Sequence, residues 1–167
     1  KTIDDLRNAK VSDLVKIPRI GETSATKMVR SANQIHLYKG EYLYDDEAET
    51  LATLDEMIRE ARSKIASENT ADYVFTYKIS RAHVDELVVR DAGLTALPKC
   101  LGNLAYLKVL DLIYNRLREF PSELNTFNRP DEIKLAHNRL DRIPEFVMNN
   151  SFLHRLDVSY NRIRKLS

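Results

Sequence analysis

Residues 107–121, Leu107-Lys108-Val109-Leu110-Asp111-Leu112-Ile113-Tyr114-Asn115-Arg116-Leu117-Arg118-Glu119-Phe120-Pro121, decide the fold, because their arrangement recurs on both sides. Upstream, Val84, Leu87, Val89, Ala92, Leu94, Leu97 and Pro98 take the equivalent places. Downstream come Pro130, Ile133, Leu135, Asn138, Leu140, Ile143 and Pro144, then Leu153, Leu156, Val158, Asn161, Ile163 and Leu166. The four copies are offset by 23 residues, with neither insertion nor deletion. A period of this length belongs to stacked-repeat architectures, in which each unit buries its apolar face against the next. Leu110 and Leu112 share one face of a short strand, and Leu87/Val89, Ile133/Leu135 and Leu156/Val158 repeat the pair. Parallel stacking at about 4.8 Å per strand lines one core with these side chains. Asn115, Asn138 and Asn161 come where the chain turns away from the strand. Their amides are predicted to hydrogen-bond backbone groups of adjacent coils that burial would otherwise leave unpaired. Ala92 holds this place in the first copy, beside Gly93, as befits an atypical terminal repeat.

The pattern resembles the leucine-rich repeat, LxxLxLxxNxLxxLP, over the C-terminal half of the chain. Closure by Leu97-Pro98, Phe120-Pro121 and Ile143-Pro144 is similar to the short intracellular type. The resemblance implies an α/β fold: a leucine-rich repeat solenoid with parallel strands on its concave face, which binds another protein. After the prolines, Leu101/Leu104, Leu124/Phe127 and Val147 are spaced to tuck a short convex helix onto the core. Asn150 fills the slot of Leu104 and Phe127, which predicts a looser third convex segment. Pro130, in place of the first strand leucine, suits a strand entrance.

Ahead of the repeats, residues 1–70 read as a helical region and 71–83 as an extended segment, together an N-terminal cap; residues 84–167 are the repeats, the last incomplete. Thr2 can N-cap a helix to Ala9, with Asp5 three residues on. Pro18 and Gly21 mark a loop. Thr23 or Ser24 can cap a second helix running to about Tyr38, with Met28, Ala32 and Ile35 inward and Gly40 as its stop. Tyr38, Tyr42 and Tyr44 cluster at the turn that follows, packing the helix junction. Asp45 or Asp46 can cap a third helix to about Ala66, with the stripe Leu51, Leu54, Ile58, Ala61, Ile65 packed on the second helix and the first repeat. Asp55/Arg59 and Glu60/Lys64 form i,i+4 pairs on its outer side. Tyr73, Phe75, Tyr77 and Ile79 alternate as in a strand.

Composition excludes several classes. Apolar residues make up 43% of the 167, enough for a core, and the net charge is +1. Residues 1–83 carry 13 basic and 14 acidic side chains, and 84–167 carry 13 and 11. Neither half has the basic excess of a nucleic-acid binder. No apolar run approaches the ~20 residues of a membrane span, and no signal-peptide pattern opens the chain. Cys100 is the single cysteine, so no internal disulfide forms. Lack of cysteine-rich end caps points to a cytoplasmic setting, against the glycosylation-type triplet Asn149-Asn150-Ser151. The chain starts at Lys1 and ends inside a repeat, so it reads as a piece of a longer protein.

Catalytic constellations are missing. Gly21, Gly40, Gly93 and Gly102 are too few and too scattered for a phosphate loop or dinucleotide fingerprint. No serine sits in a nucleophile elbow. His36, His83, His137 and His154 show no metal spacing, together or with Cys100. The expectation is therefore no enzyme, no cofactor, no metal and no small-molecule substrate.

A surface remains. Residues between and after the core leucines form columns: Glu86, Val109, Glu132, Arg155; then Val88, Asp111, Lys134, Asp157; then Arg90, Ile113, Ala136, Ser159; then Asp91, Tyr114, His137, Tyr160. Ile113 and Tyr114 are poor solvated filler, and a Tyr-His-Tyr column supplies contact area at low entropic cost. The candidate partner-binding residues are Arg90, Asp91, Asp111, Ile113, Tyr114, Glu132, Lys134, His137, Arg155, Asp157 and Tyr160. Arg116, Arg139 and Arg162 form a further column after the asparagines, read as structural because Glu119 and Asp141 lie nearby and Asn-Arg-Leu is common in such repeats.

Two functional readings follow: a scaffold or adaptor that binds another protein or another domain of its own protein, and an accessory domain of an enzyme. For the second, Arg62-Ser63-Lys64, Glu68-Asn69 and the extended segment entering the repeats are similar to the alpha subunit of Rab geranylgeranyltransferase, although that family's tryptophan-bearing helical repeats are missing and the chain has no Trp. A purely architectural role in a large assembly is a third possibility.

Overall fold

The computed structural model describes residues 5, 6, 8–39, 41–65 and 72–164. The chain divides into two compact units, Lys1–Asp45 and Asp46–Ser167.

In the first unit, Asp5 and Leu6 are helical, and the expected cap Thr2 lies outside the described residues. A short helix, α1 (Val11–Leu14), buries Leu14 and packs against α2 (Glu22–Asn33). Helix α2 starts ahead of Thr23 and Ser24, the expected caps, and its buried stripe runs through Ala25 and Ala32, while Met28 is exposed. It also stops five residues before Tyr38. Ile35–Tyr38 (β1) instead pairs antiparallel with Glu41–Tyr44 (β2), Ile35 opposite Tyr44 and Tyr38 opposite Glu41. Both segments are rich in Ile, Leu and Tyr, which favour extended backbone, and Lys39 takes φ 47° at the turn. Gly40, expected to end a helix, lies outside the described residues.

Helix α3 (Asp45–Ser63) carries the expected stripe: Leu51, Leu54 and Ile58 are fully buried. It ends before Ala66, which is outside the described residues. Arg59 meets Asp55 at 2.9 Å and Lys64 meets Glu60 at 3.4 Å on its outer face. The stripe extends upstream through Thr50 and Glu47, both buried. Thr50 Oγ1 donates to Cys100 O at 2.9 Å, which holds the helix on the first coil.

The repeats build a mixed α/β, leucine-rich-repeat-like arrangement around a parallel sheet. Five strands lie in the order β3 (Val74–Ser80), β4 (His83–Arg90), β5 (Val109–Asp111), β6 (Glu132–Lys134), β7 (Arg155–Asp157). From β4 to β7 the pairing is parallel, and partners such as Leu87, Leu110, Ile133 and Leu156 keep the 23-residue offset. Strand β3 runs antiparallel along β4, Val74 opposite Arg90 to Ser80 opposite His83, and so occupies that edge. Phe75, Tyr77 and Ile79 are half-buried and alternate with exposed neighbours, as expected from their spacing. After Pro98, Pro121 and Pro144 the chain turns through the 3-10 helices Lys99–Asn103 and Ser122–Thr126 and the helix α4 (Glu145–Met148). Leu101, Leu104, Leu124, Phe127 and Val147 are buried there. The first two of these turns approach so closely that a Cβ on Gly102 would stand 2.5 Å from Glu123 O. Asn150 does not loosen the third: its Nδ2 donates to Phe127 O at 3.2 Å and ties one coil to the previous one.

The asparagine ladder is the recurrent device. Asn115 Oδ1 accepts from Leu94 N at 3.1 Å, and its Nδ2 donates to Val89 O at 2.7 Å and Leu112 O at 3.0 Å. Asn138 repeats this with Leu117 N, Leu112 O and Leu135 O, and Asn161 with Leu140 N, Leu135 O and Val158 O. Each amide thus joins its own strand end to the preceding coil. Ala92, buried, has no such side chain. At the opposite end of β4 a second polar joint ties α3 to the strand: Glu47 Oε2 accepts from Val84 N at 2.6 Å, and Glu47 Oε1 lies 2.6 Å from His83 Nδ1. The His83 ring stacks on Tyr106 with centroids 3.9 Å apart. Burial pushes the Glu47 carboxyl above the usual carboxylate range, against the lowering effect of its bonds from Val84 and His83.

Asn138→Ala is expected to destabilise by about 1–3 kcal/mol, because it leaves buried backbone groups unpaired; an unchanged melting curve would remove the ladder from the account. Glu47→Ala should lose a similar amount, about 1–3 kcal/mol, by orphaning the buried Val84 N–H. Glu47 also predicts a pH effect. Its native carboxyl holds its proton more tightly than the unfolded chain's, so its contribution is full below the ordinary Glu range and is lost as pH rises through the raised native value. Urea titrations between about pH 4 and pH 8 should therefore show Glu47→Gln gaining on the natural protein as pH rises.

Candidate functional site

The strand face divides the expected partner-binding residues into two groups. In the first, charges satisfy one another. Asp111 is only 1% exposed. Its carboxylate is held by Arg90 Nη2, lies 4.0 Å from Lys134 Nζ and accepts from Ile113 N at 3.3 Å. Asp111 is therefore a buried hub rather than a contact surface, a placement that alternation along the strand conceals because Arg90 and Lys134 fold over it. Lys134 continues to Glu132 at 3.2 Å, and Glu132 lies 3.8 Å from Arg155. The Ser159 hydroxyl and N–H hold the Asp157 carboxyl below its usual range, at 2.7 and 3.0 Å. Ile113 stays half-buried.

The second group is Asp91, Tyr114, His137 and Tyr160. All four have left-handed backbone, φ 50°, 59°, 55° and 53°. Asp and His enter this region more readily than most residues, but for tyrosine it is sparsely populated and persists only where the surroundings over-determine it. Here they do. The N–H groups of Asp91, Tyr114 and His137 donate across to Ile113 O, Ala136 O and Ser159 O, at 3.2, 3.2 and 3.0 Å. After Tyr114, His137 and Tyr160, though not after Asp91, an asparagine clamps the carbonyls two and three residues back. Repetition of one turn superposes the side chains. The Tyr114 and His137 rings stack with centroids 4.3 Å apart, and His137 and Tyr160 with centroids 4.2 Å apart at 9°. Tyr114 is 54% exposed and Tyr160 75%. The sequence placed these residues in one column; nothing in their residue types announced the positive φ.

Beside the stack lies a groove of about 530 Å³. Its other wall is Arg116, Arg139 and Arg162, with Arg62 of α3 at one end, where its Nη1 lies 3.4 Å from Asp91 O. The backbone N–H groups of Arg116, Arg139 and Arg162 donate to Leu94 O, Leu117 O and Leu140 O at 2.8, 2.9 and 2.8 Å, which fixes them in file. Among the described residues, Glu119 and Asp141 form no ion pair with this column, contrary to their expected role. The sequence reading took the arginines as structural and omitted them from the binding residues.

Among the described residues, no three His, Cys, Asp or Glu side chains gather as a metal site would require, and no helix is long and apolar enough to cross a membrane.

No protein-family model matches the chain, and no curated protein matches it. Among solved structures it is similar to the leucine-rich repeat ectodomain of the receptor kinase SOBIR1 from Arabidopsis thaliana, with 16% identity over 72% of this chain and 96% of that one and a TM-score of 0.41.

Asp111→Ala should lower stability by about 1–3 kcal/mol, since it removes the acceptor of Arg90 Nη2 and of the Ile113 N–H. The double variant with Arg90→Ala should cost less than the two single changes together, as groups sharing one bond do. Strict additivity in denaturant melts would show that the pair is not coupled.

Proposed function

We propose that this chain is a non-catalytic protein-interaction module: a cytoplasmic leucine-rich repeat solenoid with a helical N-terminal cap, acting as scaffold or adaptor. Its concave face binds another protein, or another domain of the same protein. The observation that carries this reading is the exposed Tyr114–His137–Tyr160 stack, held on left-handed backbone by every turn. Aromatic rings fixed in place make contact area with little ordering left to do on binding. The charged part of the face supports the reading differently: Lys134, Glu132 and Arg155 pair with one another, which leaves them little charge to offer a partner.

A second reading, accessory domain of an enzyme such as a Rab prenyltransferase, draws on α3. That helix is bonded to the first coil through Thr50 and Glu47, so a helical region and the repeats meet in one body. Catalysis would then belong to another subunit.

The test is capture from lysate with the chain as bait, beside Tyr114→Ala/Tyr160→Ala. Both residues are exposed, so the double variant should melt as the natural protein does while its partner's affinity falls at least about tenfold. Undiminished capture by the variant would refute the aromatic strip as the site. Recovery of prenyltransferase subunits would favour the second reading.

A further inference from the structure

We infer that the groove between the aromatic stack and the arginine column takes an acidic segment of a partner protein, one whose carboxylates recur along a helix. This deepens the proposed function and rests on that face being a partner-binding surface.

Charge is the first argument. The chain as a whole carries only +1, and on its strand face Arg90, Asp111, Lys134, Glu132 and Arg155 pair with one another, yet among the described residues this groove is lined by four arginines and one carboxylate, Asp91. Arg62 is engaged with the Asp91 carbonyl. Arg116, Arg139 and Arg162 are exposed and, among the described residues, meet no carboxylate. Backbone bonds prevent the three from moving apart along the stack. Like charges held about 5 Å apart raise one another's potential, and an anionic partner relieves it. Arginine's planar fork suits carboxylates, which it can bind through two parallel bonds.

Geometry is the second. Successive arginines follow the strand spacing of about 4.8 Å. Acidic residues at i, i+3 or i+4 and i+7 on a helix advance about 5.4 Å per turn, so one helical stripe can address all three arginines. The aromatic wall suits a polypeptide better than a nucleic acid. Tyr114, His137 and Tyr160 lie face to face, so their inner faces are already covered and no base can enter between them.

The test uses the full chain and a fluorescein-labelled helical peptide with Glu at i, i+4 and i+7, read by fluorescence anisotropy in low and high salt. Controls are the same peptide with Gln for Glu and a single-stranded oligonucleotide of equal charge. The Glu peptide should bind, weaken with salt and exceed the Gln peptide at least tenfold. Arg116→Gln/Arg139→Gln/Arg162→Gln should lose at least tenfold, with an unchanged melting temperature, and the triple Lys variant should recover part of the loss. Equal binding of the Glu and Gln peptides, or full binding by the triple Gln variant, overturns the inference. An oligonucleotide that binds as tightly as the Glu peptide overturns it in favour of a nucleic acid. The same triple Gln variant used as lysate bait separates this inference from the broader one. Partner loss with the tyrosine variant but not with the arginine variant leaves the surface standing and removes the acidic segment. Retention by both removes both.

Discussion

One amide side chain per coil sets what the repeats can be. Asn115, Asn138 and Asn161 each accept one N–H and donate to carbonyls of two coils. A primary amide has the donors and acceptor for this in one planar group, and no apolar residue of similar size could do it. Because the same atoms are bonded in each coil, the turn preceding each asparagine has the same shape. The left-handed residue does not require the amide, since Asp91 adopts it before Ala92, but the amides clamp that turn at Tyr114, His137 and Tyr160, and ring stacking follows from the superposed turns. The coil without the amide, at Ala92, is the one flanked by α3 and by the antiparallel strand β3. At the opposite end of β4, Glu47 supplies a separate polar bond to Val84 N, at the cost of a buried carboxyl with a raised affinity for protons.

Charge on the repeats is sorted by distance from this ladder. On the strands, Asp111 is in register with Lys134 and Glu132 with Arg155, and with Arg90, two residues past the register partner of Asp111, they form a chain of pairs. Exposed pairs of this kind contribute little stability; Asp111, buried, is the exception. Past the ladder the register instead aligns Arg116, Arg139 and Arg162, which are alike. The same 23-residue repetition that neutralises one face therefore concentrates positive charge on the next. This is why the whole-chain charge of +1 was uninformative about the groove.

Most of the repeat half was legible because one period governs both sequence and structure. A fixed offset specifies strand register, the asparagine bonds and the placement of the convex turns without any long-range guess. The first 45 residues lack such a constraint. Ile35-His36-Leu37-Tyr38-Lys39-Gly40-Glu41-Tyr42-Leu43-Tyr44 reads as a helix end if Met28, Ala32 and Ile35 are given helical spacing. The alternation around Lys39-Gly40 carried the competing signal for a hairpin, and it prevailed. Glu47 was legible in principle, since it lies four residues before Leu51 on the apolar stripe, where a carboxylate needs a partner. That partner, His83, is 36 residues away, and spacing says nothing of such pairs. The candidate surface was half legible: alternation named its columns, but not that Arg90 and Lys134 close over Asp111 or that Tyr114 and Tyr160 adopt positive φ.

Positive φ bears on why a stack of this kind suits recognition. Tyrosine pays for the left-handed region in strain, and Asn or Gly would adopt it more readily. Placing tyrosines there twice opposes local preference at two coils, with the more tolerant histidine between them. Such departures from local consistency concentrate where a structure does something besides fold. The consequence is rigidity: each ring is fixed by a turn it cannot choose and by neighbours on its faces. A partner meeting this surface orders little of it, and its affinity then depends on how well its own groups match the edges, hydroxyls and arginines already in place.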